Sequence, residues 1–412
     1  MTSAAVRLAA PAAYAPDVAQ SAPSRRIASI DIVRGIVMVL MAIDHVRVYA
    51  AVPAGGPDPA VFFTRWITHF VAPAFVFLAG TSAYLHGLKL GDTKKLARFL
   101  VTRGAWLILL ELTVVRLAWT FNVDFANYNL AGVIWVLGWC MIVTAAFVRA
   151  PVRVTAIVGC AVIAGHHLLA LVPNPDGGAL GAVWRFLYGG WVIDAGGLPP
   201  LFVLYTFIPW IGVMLAGYAF GSLMTRPAEE RKRIAIRLGV AAIAMFVVIR
   251  AVDVYGDPNQ WRLGSQAADA AQGAAPPAVL RFLNTSKYPA SLAFLLMTLG
   301  PMLLALGVSE SSRGRVARVF ETFGRVPMFY YLLHIPLIHV AAILVSLART
   351  GGVDPWLFGN HPLNPPEAPA GYRWSLPLLY GVFAACVIAL YFPSRWFARL
   401  RASGKYPILS YL

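Results

Sequence analysis

Residues 29–47 read SIDIVRGIVMVLMAIDHVR, with Asp31 and Arg34 at one end and Asp44, His45 and Arg47 at the other. Between those ends the stretch is apolar, and at about 1.5 Å per residue it is nearly long enough to cross a bilayer. Ionisable groups at membrane depth cost about 2.5 kcal/mol or more each, so they pair inside a bundle or line a wet cavity. The rest of the chain is built in the same way. Apolar runs of about 20 residues recur at 32–52, 66–86, 100–118, 129–147, 153–172, 200–222, 234–251, 288–308, 326–347 and 374–393. With 59% hydrophobic and 13% charged residues in 412, the composition excludes an ordinary soluble domain. The expected fold is all-α, a polytopic transmembrane helical bundle of about ten spans.

A net charge of +16 would suggest nucleic acid in a soluble protein, but here the basic residues alternate by loop. Arg25-Arg26, Lys89/Lys94/Lys95/Arg98, Arg231-Lys232-Arg233, Arg313/Arg315/Arg318 and Arg395/Arg399/Arg401/Lys405 fall on one side. The other side has Arg65, nothing in 119–128 and Arg185 alone in 173–199. The positive-inside rule then puts both termini in the cytoplasm, and no nucleic acid is required. Cys140, Cys160 and Cys386 lie in expected spans without CxxC spacing, so neither a disulfide framework nor a zinc site is indicated.

The Ala-, Pro- and Ser-rich residues 1–26 lack the continuous apolar core of a signal peptide and read as a disordered cytoplasmic tail. Residues 27–412 read as a single transmembrane domain with no internal repeat. The long loops 173–199, 252–287 and 348–373 suit lids or binding surfaces.

Placed by helical rise, the buried ionisable groups fall into two sets. Asp31, Arg34 and Arg103 sit at a cytoplasmic mouth. Asp44, His45, Arg47, His69, Glu111, Arg116, Asn284, Lys287, Tyr288 and His339 map to the outer half, and His334 lies near mid-depth. At 100° per residue Asp31, Arg34, Met38 and His45 share one stripe of the first span, so one helix reaches both ends of a through-membrane cavity. Each group also has a plain structural use. Asp31/Arg34 and Asp44/Arg47 are (i, i+3) pairs that lock a helix. Arg65, Arg116, Arg250 and Lys287 can snorkel from span ends. His166-His167 suits an interface, and His334 and His339 can be satisfied by carbonyls.

A histidine near neutral pH serves as general base or nucleophile, with Asp44 or Glu111 to orient it. No HxxxH or HExxH in the outer half favours a metal, and His334 and His339, five apart, are poorly spaced for shared ligation.

RIASIDIVRGIVMVLMAIDHVR (26–47), RWITHFVAPAFVFLAGTSAYL (65–85), PWIGVMLAGYAFG (209–221) and NTSKYPASLAFLLMTLGPM (284–302) together resemble the bacterial membrane proteins grouped with the catalytic domain of heparan-alpha-glucosaminide N-acetyltransferase. The resemblance extends over nearly all of 27–347. Asp31, Arg34 and Gly35 match its S-x-D-x-x-R-G, and Pro73, Phe75, Phe77 and Gly80 match its F-x-x-P-x-F-x-F-x-x-G. The resemblance implies a membrane acyltransferase that takes acetyl-coenzyme A from the cytoplasm and acylates a glycan on the far side. The animal enzymes carry their catalytic His before the second motif, where this chain has PAGGPDPAVFFTRW (53–66) and no His. Their catalytic Asn falls at His45, and His69 stands four residues before Pro73, so His45 or His69 would take the catalytic role.

The expected enzyme is thus an integral acyltransferase of the bacterial cytoplasmic (inner) membrane, crossing it many times. Its catalytic group is His45, His69, Asp44 and Glu111. Asp31, Arg34 and Arg103 hold acetyl-coenzyme A as co-substrate, with Lys94 or Lys95 nearby. Arg47, Asn284, Lys287, Tyr288, His334 and His339 face a glycan-type acceptor. The expected partners are the lipid bilayer, the acyl donor and the acceptor, with no metal; the sequence leaves a homodimer open. The alternative is a proton-coupled transporter of a polar or anionic solute with the same charges along its path; Pro209 and Pro336 interrupt spans, but no inverted repeat is visible.

Overall fold

The computed structural model describes residues 26–175, 177–194, 196–262 and 276–406, so the tail expected at 1–26 lies, but for its last residue, outside the described residues. The helices are α1 (Ala28–Tyr49), α2 (Pro59–Trp66), α3 (Val71–Leu90), α4 (Thr93–Leu110), α5 (Arg116–Thr120), α6 (Val133–Phe147), α7 (Val152–Gly165) and α8 (Gly178–Trp184). They continue as α9 (Phe207–Phe220), α10 (Ala228–Val252), α11 (Ala278–Leu283), α12 (Leu292–Ser309), α13 (Arg315–Arg325), α14 (Pro327–Thr350) and α15 (Leu376–Ala402).

The fold is predominantly helical, as expected, but with fewer clear crossings. Seven helical stretches are long and apolar enough to cross a membrane: Pro59–Leu90, Val152–Leu171, Phe207–Thr225, Ala228–Val252, Leu292–Ser309, Pro327–Thr350 and Leu376–Ala402. The other three expected runs are helical but differ in kind. α1 carries four charged residues. The run 100–118 is interrupted by a π-turn at Glu111–Val115. α6 has only 15 residues. The loops also hold three short strands that hydropathy did not suggest, β1 (Asn129–Ala131), β2 (Trp191–Ile193) and β3 (Leu201–Val203), in the order β1-β3-β2. β1 runs parallel and β2 antiparallel to β3. Three residues per strand are too few for a period to show.

α1 lies at the centre, packed on α13, α14, α15, α12 and α3. Its crossing with α13 is a backbone contact. A Cβ on Gly35 would stand 1.8 Å from the Phe320 carbonyl oxygen, and one on Gly324 the same distance from that of Asp31. α3 and α9 cross equally closely, with Phe77 O 2.1 Å from a Cβ on Gly217 and Met214 O 2.2 Å from one on Gly80. Small residues are what let helices approach when lipid removes the hydrophobic drive between them. This is the physical demand behind the glycines of both sequence motifs.

Two arginines read as snorkelling are fully internal instead. Arg116 is 0% and Arg250 1% exposed. Arg116 donates to the carbonyls of Asn122, Asp124 and Tyr128 and to Thr120 Oγ1. Arg250 donates to those of Phe282, Asn259, Arg281 and Asn284. Each loop folds back over its helix end, so the guanidinium meets carbonyls where water was expected.

Candidate functional site

At the Arg34 end, Asp31 is buried and bridges two guanidiniums: Arg26 Nε donates to Oδ2 at 2.5 Å and Arg34 Nη1 to Oδ1 at 3.2 Å. Arg34 also donates to Ser82 Oγ at 2.7 Å and to the Gly324 carbonyl at 3.1 Å. The first motif's arginine is thereby tied to the helix of the second, one residue past Thr81, whose hydroxyl donates to Gly217 O. Beside this network opens a cavity of about 310 Å³ lined by Arg26, Arg325, Arg401 and aliphatic neighbours. Arg325 pairs with Glu321, while Arg401 Nη1 donates to the Arg325 carbonyl at 3.1 Å. Further basic residues gather at this end: Arg231 is paired with Glu310, which accepts from Ser29 Oγ at 2.6 Å. Arg103 is not in the cavity lining; it stands on α4 beside His86. Arg401 was legible only as a member of a basic cluster and Arg325 was not singled out, because nothing local shows that they converge on α1.

At the other end of α1, about 16 Å away by helical rise, the sequence-selected residues divide. His45 Nδ1 and His334 Nε2 are 2.7 Å apart. His334 Nδ1 faces the Tyr331 carbonyl at 2.6 Å and that of Tyr330 at 3.3 Å. Carbonyls only accept, so Nδ1 of His334 carries the proton. With both rings neutral, His334 Nε2 accepts from His45 Nδ1–H, which leaves the lone pair of His45 on Nε2. Both rings are held by aromatic contacts, His45 against Trp119 and His334 against Tyr330 and Tyr331. Part of His45 remains accessible, whereas His334 is wholly buried.

Next to His45, Asp44 accepts from Arg47 Nε at 2.9 Å and from Arg65 Nη1 at 3.2 Å. It therefore pairs with cations rather than orienting the imidazole. Lys287 lies in electrostatic range of Asp44 and Arg65, its ammonium 5.2 Å from the Tyr288 ring and 5.7 Å from that of Tyr205. His69 is 8% exposed, edge-on to Phe294, and shares this electrostatic neighbourhood.

Three selected residues serve elsewhere. Glu111 Oε2 accepts from Ile134 N at 3.0 Å and Trp135 N at 3.2 Å. It sits where the N-terminus of α6 favours an anion, so it fixes that helix rather than assisting His45. Asn284 contributes its carbonyl to the cradle of Arg250. His339 stacks on Phe121 and Tyr49 and faces the Ala118 carbonyl, separated from His45 by the Tyr49–Trp119 layer. His166 faces the carbonyls of Val162, Ile163 and Ala290, a structural use. Among the described residues no group of three or more His, Cys, Asp or Glu is arranged to hold a metal.

The sequence model of the family described as "Heparan-alpha-glucosaminide N-acetyltransferase, catalytic" matches residues 26–251, more than half of the 412-residue chain. The match takes in α1, both opening motifs and the α9 segment; the resemblance read over 284–302 lies beyond it. No curated protein matches the chain. With several helices able to cross a bilayer, this is a multi-pass membrane protein, and it belongs to the family of the heparan-alpha-glucosaminide N-acetyltransferase catalytic domain.

Proposed function

We propose that the chain is an integral membrane acyltransferase that moves an acetyl or similar acyl group from a coenzyme A thioester, held at the Arg34 end, to an acceptor at the His45 end. The observation that carries this is the pairing of His45 with His334 on the same helix that anchors the arginine-lined mouth. Family membership supports the reaction class.

In this mechanism the phosphates of the donor lie against Arg34, Arg26, Arg325 and Arg401, where charge-assisted hydrogen bonds are strong. Asp31 holds Arg26 and Arg34 in place and touches no phosphate. The thioester arm runs along α1 toward His45. An acceptor amine or hydroxyl attacks the thioester carbonyl carbon while His45 Nε2 takes its proton. The C–S bond breaks, and the imidazolium returns that proton to the departing thiolate. His334 keeps His45 in the tautomer that presents Nε2. The basic clusters at the Arg34 end support a cytoplasmic position for that end and both termini by the positive-inside rule, with the acceptor on the far side. A bacterial inner membrane and a glycan-type acceptor agree with the family resemblance.

Purified protein given radiolabelled acetyl-coenzyme A and a membrane extract is expected to transfer label, and His45→Gln to abolish transfer. Absence of protein-dependent transfer together with absence of saturable coenzyme A binding overturns the proposal.

A further inference from the structure

Around Asp44 the cations outnumber the anions among the described residues. Asp44 gives one oxygen to Arg47 and the other to Arg65. Lys287 makes no ion pair among the described residues, and its ammonium faces the rings of Tyr288 and Tyr205, whose hydroxyls lie 3.5 Å apart. The Tyr288 hydroxyl is also a hydrogen-bond partner of Lys287 and Arg65, but neither a phenol nor an aromatic face supplies the counter-charge of a carboxylate. Among the described residues of the preceding loop, Asp257 is engaged by Ser291 Oγ at 2.7 Å, Asn259 N and Ser286 N. Three cations thus share one carboxylate, with Arg65 9% and Lys287 7% exposed. Buried charge without a counter-charge is strongly unfavourable.

Two further features point the same way. Arg47 spends Nε on Asp44 and Nη1 on the Val52 carbonyl, which leaves Nη2 without a hydrogen bond among the described residues. His69 Nδ1 is buried with no partner among the described residues, in electrostatic range of Arg65, Lys287, Asp44 and Arg47. Guanidinium forks and an ammonium gathered about one carboxylate are the donors that recognise an oxyanion.

We propose that Arg47, Arg65 and Lys287 form an oxyanion-binding subsite, next to His45, for a carboxylate, phosphate or sulfate carried by the ligand of this end. That the ligand is the acyl acceptor rests on the proposed function; the anion site itself does not. The subsite makes an anionic acceptor preferred over a neutral one and holds it beside the base, with Arg47 two residues along α1 from His45.

The test is the melting of the full-length purified protein titrated with sodium sulfate against sodium chloride at equal ionic strength. Sulfate stabilises most proteins by exclusion, an effect that rises without saturating, so the signal is a saturable component. Wild type and Lys287→Arg are expected to show it, and Lys287→Met and Lys287→Gln to need at least about ten times more sulfate, the loss of one charge-assisted contact. Arg153→Gln, which removes an exposed arginine at the start of α7, is expected to leave it unchanged. No saturable component in wild type overturns the proposal whatever the variants do. So does a component equal in Lys287→Met, or one lost in Arg153→Gln. None of these readouts involves acyl transfer, so failure of the subsite and failure of the enzymatic reading are separable.

Discussion

His45 and His334, 289 positions apart, share one hydrogen bond of 2.7 Å, and the Tyr331 carbonyl behind His334 fixes its direction. The proton order runs from carbonyl to His334 to His45 and ends on a free lone pair at His45 Nε2. This is the arrangement that a carboxylate provides in many histidine-dependent enzymes, built here from a second imidazole and a helix carbonyl.

Removing the partner tests that order. His334→Leu is expected to lower kcat about 10–100-fold, less than the 10²–10⁴-fold expected for loss of the base in His45→Gln. KM for the acyl donor is expected to stay within about twofold, because the donor mouth is a helix length away. His334→Asn, whose side-chain oxygen can accept from His45, should recover part of the loss. A His334→Leu enzyme with wild-type kcat would show that the hydrogen bond does not organise catalysis.

The α1–α13 crossing gives a stability prediction. Gly35→Ala puts a methyl group 1.8 Å from the Phe320 carbonyl oxygen, and a backbone atom cannot rotate away. Overpacking usually costs about 1–3 kcal/mol, and a backbone clash belongs at or above the top of that range. The variant is expected to melt several degrees lower in detergent and to express poorly. Gly381→Ala, with nothing near its Cβ position, should melt as wild type does.

Sequence reading recovered what depth and period can carry. The two ends of α1, the helical class and the reason for charge within an apolar run all follow from residues 29–47 alone. Helical rise places a residue along the membrane normal but is silent on which neighbouring helix it faces. His334 was therefore set at mid-depth with no link to His45, and Glu111 was grouped with His45 although it belongs to the start of α6. Arg250 was misread for a related reason: hydropathy sees the helix that carries it, whereas its partners lie on α11 and in the loop that follows. The third expected span was obscured by its π-turn, a local event that leaves no trace in composition.

Arg250 offers a test of that correction. A snorkelling arginine is replaced at little cost, but this one satisfies four carbonyls, two on α11 and two in the flanking loops, and approaches Asp253. Each carbonyl left buried and unpaired costs about 1–3 kcal/mol. Arg250→Met is expected to lower the melting temperature and to expose the segment 253–262 to limited proteolysis. Arg250→Lys should rescue little, since one ammonium cannot span the donors of a planar fork. Wild-type resistance in Arg250→Met would return the residue to the membrane surface.

The donor mouth can be separated from the chemistry by the same kinetic logic. Arg26, Arg325 and Arg401 line its cavity, but Arg26 is also bound to Asp31 and Arg325 to Glu321. Arg401 has no carboxylate partner among the described residues and donates to a carbonyl, that of Arg325, so it is the arginine best placed to give its charge to a phosphate. Loss of one charge-assisted hydrogen bond is worth about 1.5–3 kcal/mol, or roughly 10–150-fold. Arg401→Gln is therefore expected to raise KM for acetyl-coenzyme A by about that factor and to leave kcat at saturating donor within about threefold, because His45 and His334 are untouched. Added pantetheine thioester, which lacks the nucleotide and its phosphates, should be used equally by wild type and Arg401→Gln. A defect of equal size with both donors would mean that Arg401 supports the fold of the mouth and not the phosphates.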